Sequence, residues 1–168
     1  TGLAVTDPAE LREIARLALA HDYQHCVHAI GDRGNREVLD LFRDTLAAAP
    51  DGKQRRWRIE HAQHLHPADV PRFAELGVIA SMQGVHCTSD APFVVARLGE
   101  KRAREGAYVW RELVDSGAKV VNGTDAPVED VDPIPSFYAT VTRRLPDGSR
   151  FYPEHALSRL EALATYTR

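Results

Sequence analysis

Only two cysteines occur in the 168 residues, Cys26 and Cys87. Two are too few for a disulfide framework and these form no C-x-x-C pair, so both are expected to be reduced, buried, small apolar residues. Positive charge is not in excess: 21 Lys and Arg stand against 24 Asp and Glu, a formal net charge of -3, with a sequence pI near 6.2. That balance leaves no electrostatic footprint for nucleic acid or an anionic membrane. The one basic cluster, Lys53 to Arg58, lies between a helix end and a strand, as a solvated loop does. No apolar run approaches the roughly 20 residues that span a bilayer, and no signal peptide precedes the first helical pattern, which together predict a cytoplasmic location. A chain that opens on Thr1 and ends on "ALATYTR" without a helix stop signal reads as a piece of a longer protein.

What is present suits a globular unit. With 43% apolar and 27% charged residues, residues 1–168 can bury one sizeable core. The stretch "TDPAELREIARLALA" predicts a helix, with Asp7 as N-cap, Pro8 at the first helical position, and Leu11, Ile14 and Ala18 inward. "YQHCVHAIG" (23–31) reads as a buried strand reaching His28, and 35–49 as a helix with Val38, Phe42 and Leu46 inward. "WRIEH" (57–61) is the second strand, "PADVPRFAEL" a helix stopped by Gly77, and "VIASMQ" (78–83) the third strand. No element is assigned across the long segment 84–106. Beyond it "AYVWRELVDSG" is helical with Trp110, Leu113 and Val114 on one face, and "KVVNGTD" (119–125) is a fourth strand. Two further helices, near 134–143 and 154–166, flank the "LPDGS" turn.

Four strands alternating with helices predict parallel βαβ units and an α/β fold. His28 and His61 are 33 positions apart, and His61 and Asp125 are 64 apart. These are close to one and two times the roughly 31 residues per unit of an eight-unit, ~250-residue barrel. All three residues then stand just after strand C-termini, on the face where such barrels carry their chemistry. Two imidazoles and a carboxylate converging there suit a divalent metal such as zinc, because neutral ring nitrogens and a carboxylate oxygen match its borderline softness. The carboxylate can also take a proton from a water that the metal acidifies. Taken singly, a strand-end histidine is more often packed or hydrogen-bonded than a ligand, so it is the convergence that carries the metal reading.

These residues carry a resemblance. "HAIGDRGN" from 28, "RIEHAQHLHPADVPRFAELGVIASMQ" from 58, "GAYVWRELVDSGAKVVNGTDAPVEDVDPI" from 106 and "PEHALSRLEALATYTR" from 153 resemble the amidohydrolase superfamily, more narrowly its family 3, which includes the N-substituted formamide deformylases. The resemblance covers essentially the whole chain. It implies a metal-dependent hydrolase on a distorted (β/α)8 barrel, of which this chain is a partial barrel, approximately strands five to eight with their helices. By motif, His28 in "HAIGD" matches the fifth-strand metal ligand, His61 in "IEHAQ" the sixth-strand ligand, and Asp125 in "GTDAPV" the eighth-strand residue that is both metal contact and proton shuttle. The resemblance further implies hydrolysis of non-peptide C–N bonds, in an amide, formamide or cyclic amide, with zinc favoured and iron or manganese acceptable.

Other residues take lesser parts. Asp32 and Arg33 are placed behind His28 as support, or equally at a helix start with a solvated partner. Gln83 and Tyr108 are candidates to line a pocket, His86 to reach substrate, and Trp110 to join the core. His64 and His66 are assigned to the loop, with a capping role for His66 before Pro67, and His21, His25 and His155 to surface or packing. Gly31 and Gly34 make no phosphate loop, since no G-K-[ST] follows.

The chain also departs from the family. The front-half ligands have no counterpart: the single H-x-H, His64-Leu65-His66, follows the sixth-strand motif rather than a first strand, and none of Lys53, Lys101 and Lys119 stands where a carboxylated lysine belongs. The partners expected are therefore a small-molecule amide, the missing N-terminal half of the barrel and, for the assembled protein, a further copy. The alternative is a non-catalytic half-barrel that needs a partner half and has at most residual metal binding.

Overall fold

The computed structural model describes residues 2–167; Thr1 and Arg168, the chain ends noted above, lie outside the described residues. The chain opens on α1 (Pro8–Ala20), where the Asp7 carboxylate accepts the Ala9 N–H at 2.7 Å and Pro8 fills the first helical position. Its inward face differs from expectation. Ala15 is buried and Leu11 and Ala18 are partly so, whereas Ile14 is 41% exposed. The face that meets α2 runs i, i+4, i+7 from Leu11, and Ile14 falls beside it.

Four strands follow: β1 (Cys26–Ala29), β2 (Arg58–His61), β3 (Ile79–Gln83) and β4 (Val120–Gly123). They form one sheet in the order β1-β2-β3-β4, every neighbouring pair parallel. Sequential parallel order requires a crossover between each pair, and helices supply it. These are α2 (Asp32–Leu46) after β1, α3 (Val70–Leu76) after β2, and α4 (Gly84–Leu98), α5 (Glu100–Gly106) and α6 (Trp110–Asp115) between β3 and β4. Last come α7 (Pro133–Thr142) and α8 (Arg159–Thr167). Gly77 stops α3 in the left-handed region at φ 68, and a Cβ there would stand 2.3 Å from the Lys53 carbonyl oxygen, so only glycine fits.

Alternation splits the sheet into two faces. Val27, Ile59, Ala80, Met82 and Val120 are buried under the helices with Phe42, Trp57, Phe73 and Leu113. The opposite face carries Cys26 and His28 on β1, register-paired with Arg58 and Glu60 on β2. Cys26 is exposed there rather than buried; only Cys87 meets the expectation, and burial pushes its thiol up to about 11. The physical reason is parity: Val27 takes the helix side, so Cys26 takes the other.

The segment 84–106 is helical throughout most of its length. Its helices were not legible because α4 begins on a glycine and carries Pro92 in its interior, which removes a donor to the carbonyl four residues back. Packing on α7 overrides both. A Cβ on Gly84 would meet the Ser136 carbonyl oxygen and Thr140 Oγ1 at 2.3 Å each, so glycine is what lets the two helices approach.

Candidate metal centre

β2 ends on His61, paired with Ala29 in the β1 register. Strict alternation would set His61 on the helix-covered face beside Ile59. Instead the backbone enters the left-handed region at His61 (φ 73) and Ala62 (φ 44), a conformation that non-glycine residues hold only at a cost. The ring is thereby re-aimed, meeting residues of the opposite face. It lies 4.5 Å, centroid to centroid, from the His28 ring, edge to face, and its Nδ1 donates to Gln83 Oε1 at 2.8 Å. An amide oxygen only accepts, so Nδ1 carries the proton and Nε2 keeps its lone pair.

His86 comes from the first turn of α4, and its ring is stacked at 6.0 Å on that of His61. It is buried, and its Nε2 has no hydrogen-bond partner among the described residues. Asp125 follows β4 and is also left-handed, at φ 59. Its backbone carbonyl closes the turn by accepting the Val128 N–H at 2.8 Å. Its carboxylate makes no hydrogen bond among the described residues, so the turn does not use it.

His61, His86 and Asp125 each bring one ligand atom within 4.8 Å of the other two. Two donors sharing an ion at ~2.1 Å each stand at most about 4.2 Å apart, so this group is within a small side-chain adjustment of coordination. The donor set is two imidazoles and a carboxylate, the set that zinc and its neighbours take. The orphaned Nε2 of His86 fits the same reading: a buried nitrogen without a partner costs free energy unless something outside the protein satisfies it. His28 adjoins the group through His61 but is not one of the three. Burial and the neighbouring His61 pull its pKa down, while Asp125 and Glu60 oppose them; the net lowering favours the neutral imidazole, the form that binds metal.

The other sequence candidates divide. Gln83 is at the centre, on His61. Asp32 is instead paired with Arg102 at 2.8 Å and accepts the Arg33 N–H, and Arg33 pairs with Glu37, so neither touches His28. Burial opposes ionisation of Asp32, but these contacts outweigh it and hold its carboxyl below the usual range. His66 caps the turn before α3, its Nδ1 accepting the Ala68 N–H. His64 packs edge to face on Tyr108, His25 packs edge to face on Trp57 and tilted against Phe42, and His155 bonds the Arg104 carbonyl at 2.8 Å. Trp110 is core.

Two residues beside the centre carried no sequence signal. Gln63 Nε2 donates to Asp90 Oδ2 at 2.7 Å, and the Tyr108 hydroxyl donates to the same oxygen at 2.5 Å. Asp90 stands one turn after His86 on α4, a spacing with meaning only once 84–98 is known to be helical.

The chain resembles known proteins over nearly its whole length. The profile of the amidohydrolase family matches residues 1–168. The chain is 37% identical over 167 residues to LONG AFTER FAR-RED 3 of Arabidopsis thaliana, covering 99% of this chain and 28% of that protein. It is 31% identical over 169 residues to YtcJ of Bacillus subtilis (strain 168), covering 99% and 31% respectively. The crystal structure of an uncharacterized metal-dependent hydrolase from Pyrococcus horikoshii OT3 superposes with a TM-score of 0.85 at 30% identity, over 98% of this chain and 32% of that one. The chain thus spans about three tenths of the length of these relatives.

Proposed function

This chain belongs to the amidohydrolase family, and from that premise we propose that it forms one flank of a metal-dependent hydrolase site acting on non-peptide C–N bonds, with Asp125 as its proton shuttle. The observation that carries the reading is the convergence of His61, His86 and Asp125 at the C-terminal ends of successive parallel strands. We read the chain as strands five to eight of a (β/α)8 barrel, and the branch as that of the N-substituted formamide deformylases. The likeness to a metal-dependent hydrolase over 98% of the chain supports the hydrolase reading, while the strand numbers and the branch rest on the motifs around His28, His61 and Asp125.

His61 and Asp125 would hold the ion with His86 or His28 as the third protein ligand, and zinc suits that donor set best. A divalent metal bound there supplies Lewis-acid polarisation of the substrate carbonyl and acidifies water. Asp125 accepts a proton from the attacking water at a carboxylate oxygen as the new C–O bond forms. It returns that proton to the leaving nitrogen as the C–N bond breaks. Gln83 holds His61 in the tautomer that leaves Nε2 unprotonated. The small-molecule amide approaches from the strand-end loops, which set its identity.

A second reading has its own observation. Among the described residues no helix covers the sheet face that carries Cys26, His28, Arg58 and Glu60, and β1 and β4 are both open parallel edges there. On this reading the 168 residues alone are a half-barrel that requires its complement and retains at most residual metal binding.

Both are tested by assaying the full-length protein on formamides, amides and cyclic amides before and after chelation, with metal re-addition, and by repeating the metal titration on residues 1–168. Turnover that survives complete metal removal, or hydrolysis of esters with no C–N substrate accepted, would refute the first reading. Full metal affinity in the isolated 168 residues would refute the second. His61→Ala should strip metal and activity together, whereas His64→Ala should leave both nearly intact.

A further inference from the structure

We propose that Asp90 is a positioning residue that holds His86 in the metal centre, by clamping α4 to the loop behind His61 and to Tyr108. The inference rests on the metal reading above for the purpose of the clamp, though not for its existence. His86 and Asp90 are four residues apart on α4 and so share one face of the helix. A single carboxylate oxygen of Asp90, Oδ2, receives both the Gln63 amide at 2.7 Å and the Tyr108 hydroxyl at 2.5 Å. Charge-assisted bonds of this kind are stronger than neutral ones.

Both donors are themselves fixed, which is what makes the contact a clamp. Gln63 is buried two residues after His61, and its carbonyl accepts the Tyr108 N–H at 2.9 Å. Tyr108 is buried in the left-handed region at φ 55, and its carbonyl accepts from Arg143 Nη1 at 2.9 Å. Burial of the phenol and its bond to Asp90 both push the Tyr108 pKa up, keeping it a donor. The route therefore runs from β2 through Gln63 to Asp90 and back along α4 to His86, which faces His61 across 6.0 Å. The start of α4 has a separate tether, with Gly84 N–H on Asn122 Oδ1 at 2.9 Å and Val85 N–H on Ser136 Oγ at 3.2 Å. Those bonds fix where α4 begins. Asp90 fixes how it turns about its axis one turn further on, and the axial rotation decides where the His86 ring points.

The test uses full-length protein carrying Asp90→Leu or Tyr108→Phe, the second removing one donor and nothing else. Two readouts are taken on metal-stripped protein: zinc affinity by competition with a chromophoric chelator, and the rate at which diethyl pyrocarbonate modifies His86 relative to His66, mapped by mass spectrometry. Zinc affinity should fall ~10- to 100-fold, as loss of a ligand's supporting contact does, and His86 modification should accelerate while His66 is unchanged. Combined with His86→Ala, the Asp90 substitution should add no further loss of zinc affinity. Unchanged His86 modification in a folded variant, or a loss that simply adds to that of His86→Ala, overturns the proposal. Should Asp90→Leu fail to fold, Tyr108→Phe decides by the same measurements. If the unsubstituted protein binds no zinc, the metal reading itself fails, and the His86 modification rate alone judges the clamp.

Discussion

Nδ1 of His61 donates to Oε1 of Gln83 at 2.8 Å, and Gln83 is the residue on which β3 ends. A strand end thus fixes the tautomer of a neighbouring strand's last side chain. Gln83→Leu keeps much of the volume but removes the acceptor, leaving the His61 ring free to rotate and to change tautomer. Zinc affinity of the full-length protein is expected to fall ~10- to 100-fold, read by chelator competition. An affinity within twofold of the unsubstituted protein would show that the bond is incidental.

Asp125→Asn separates coordination from proton transfer. Asparagine keeps the size and one coordinating oxygen but takes no proton from water. Metal stoichiometry and melting temperature should hold, while turnover falls at least about a hundredfold, the lower end of what general acid–base catalysis contributes. The alternative role for this carboxylate, stabilising the "NGTDAP" turn through nearby backbone N–H groups, is weakened by the structure, since the carbonyl of Asp125, not its carboxylate, closes the turn with Val128. A lowered melting temperature with a near-normal rate per folded molecule would restore that alternative.

His25 makes stability depend on pH. Its ring is packed 5.6 Å from Phe42 and 5.3 Å from Trp57, and burial lowers its pKa below the ordinary value. The unfolded chain therefore binds the proton first as pH falls. Stability is full above the unfolded value of about 6.5 and is lost as pH drops from there towards the folded pKa, below which it levels off. Nδ1 of His25 is buried without a hydrogen-bond partner among the described residues, so His25→Leu forfeits no bond of that nitrogen to them. The melting temperature of the metal-free protein should drop less between pH 7.5 and 5.5 in His25→Leu than in the parent. An equal drop would mean that His25 is already protonated or exposed in the fold. His64, whose pKa burial also lowers, retains its share of the dependence in both proteins.

Arg143 carries a buried cation on backbone carbonyls. Its Nε donates to the Phe151 carbonyl at 2.6 Å and Nη1 to that of Tyr108 at 2.9 Å, with the guanidinium 4.8 Å from the Trp110 ring centroid. Lysine has no fork to reach both oxygens while lying flat on the indole. Arg143→Lys is expected to cost about 2–4 kcal/mol in urea unfolding, the scale of unpairing buried polar groups. A cost below about 0.5 kcal/mol, the range of neutral surface substitutions, would show that the guanidinium geometry is not required.

Much of this was legible in the residue order. The Asp7 cap, the Gly77 stop and the inward face of Val38, Phe42 and Leu46 depend on local chemistry and a 3.6-residue period, and each stands where read. So do the four strands, each shorter in the fold by a residue or more at one or both ends. His28, His61 and Asp125 were visible as strand-end residues at near-regular spacing. Cys26 was misjudged because a four-residue strand does not declare which face its partners will cover.

The sequence by itself determined the alternation of strands and helices, the parallel order that alternation entails, and the arrival of chemistry-bearing side chains at strand ends. These follow from periodicity and from the geometry of βαβ crossovers, which are local rules. Only the tertiary structure decided that His86 joins His61 and Asp125, that Gln83 sets a tautomer, and that Asp90 ties α4 in place. Those relations depend on left-handed turns at His61 and Asp125 and on a helix whose own sequence opens with glycine and contains proline. Neither is dictated by neighbours along the chain. Both are imposed by packing, the turns because their side chains must leave the strand's alternation, and the helix because Gly84 alone lets α4 close on α7.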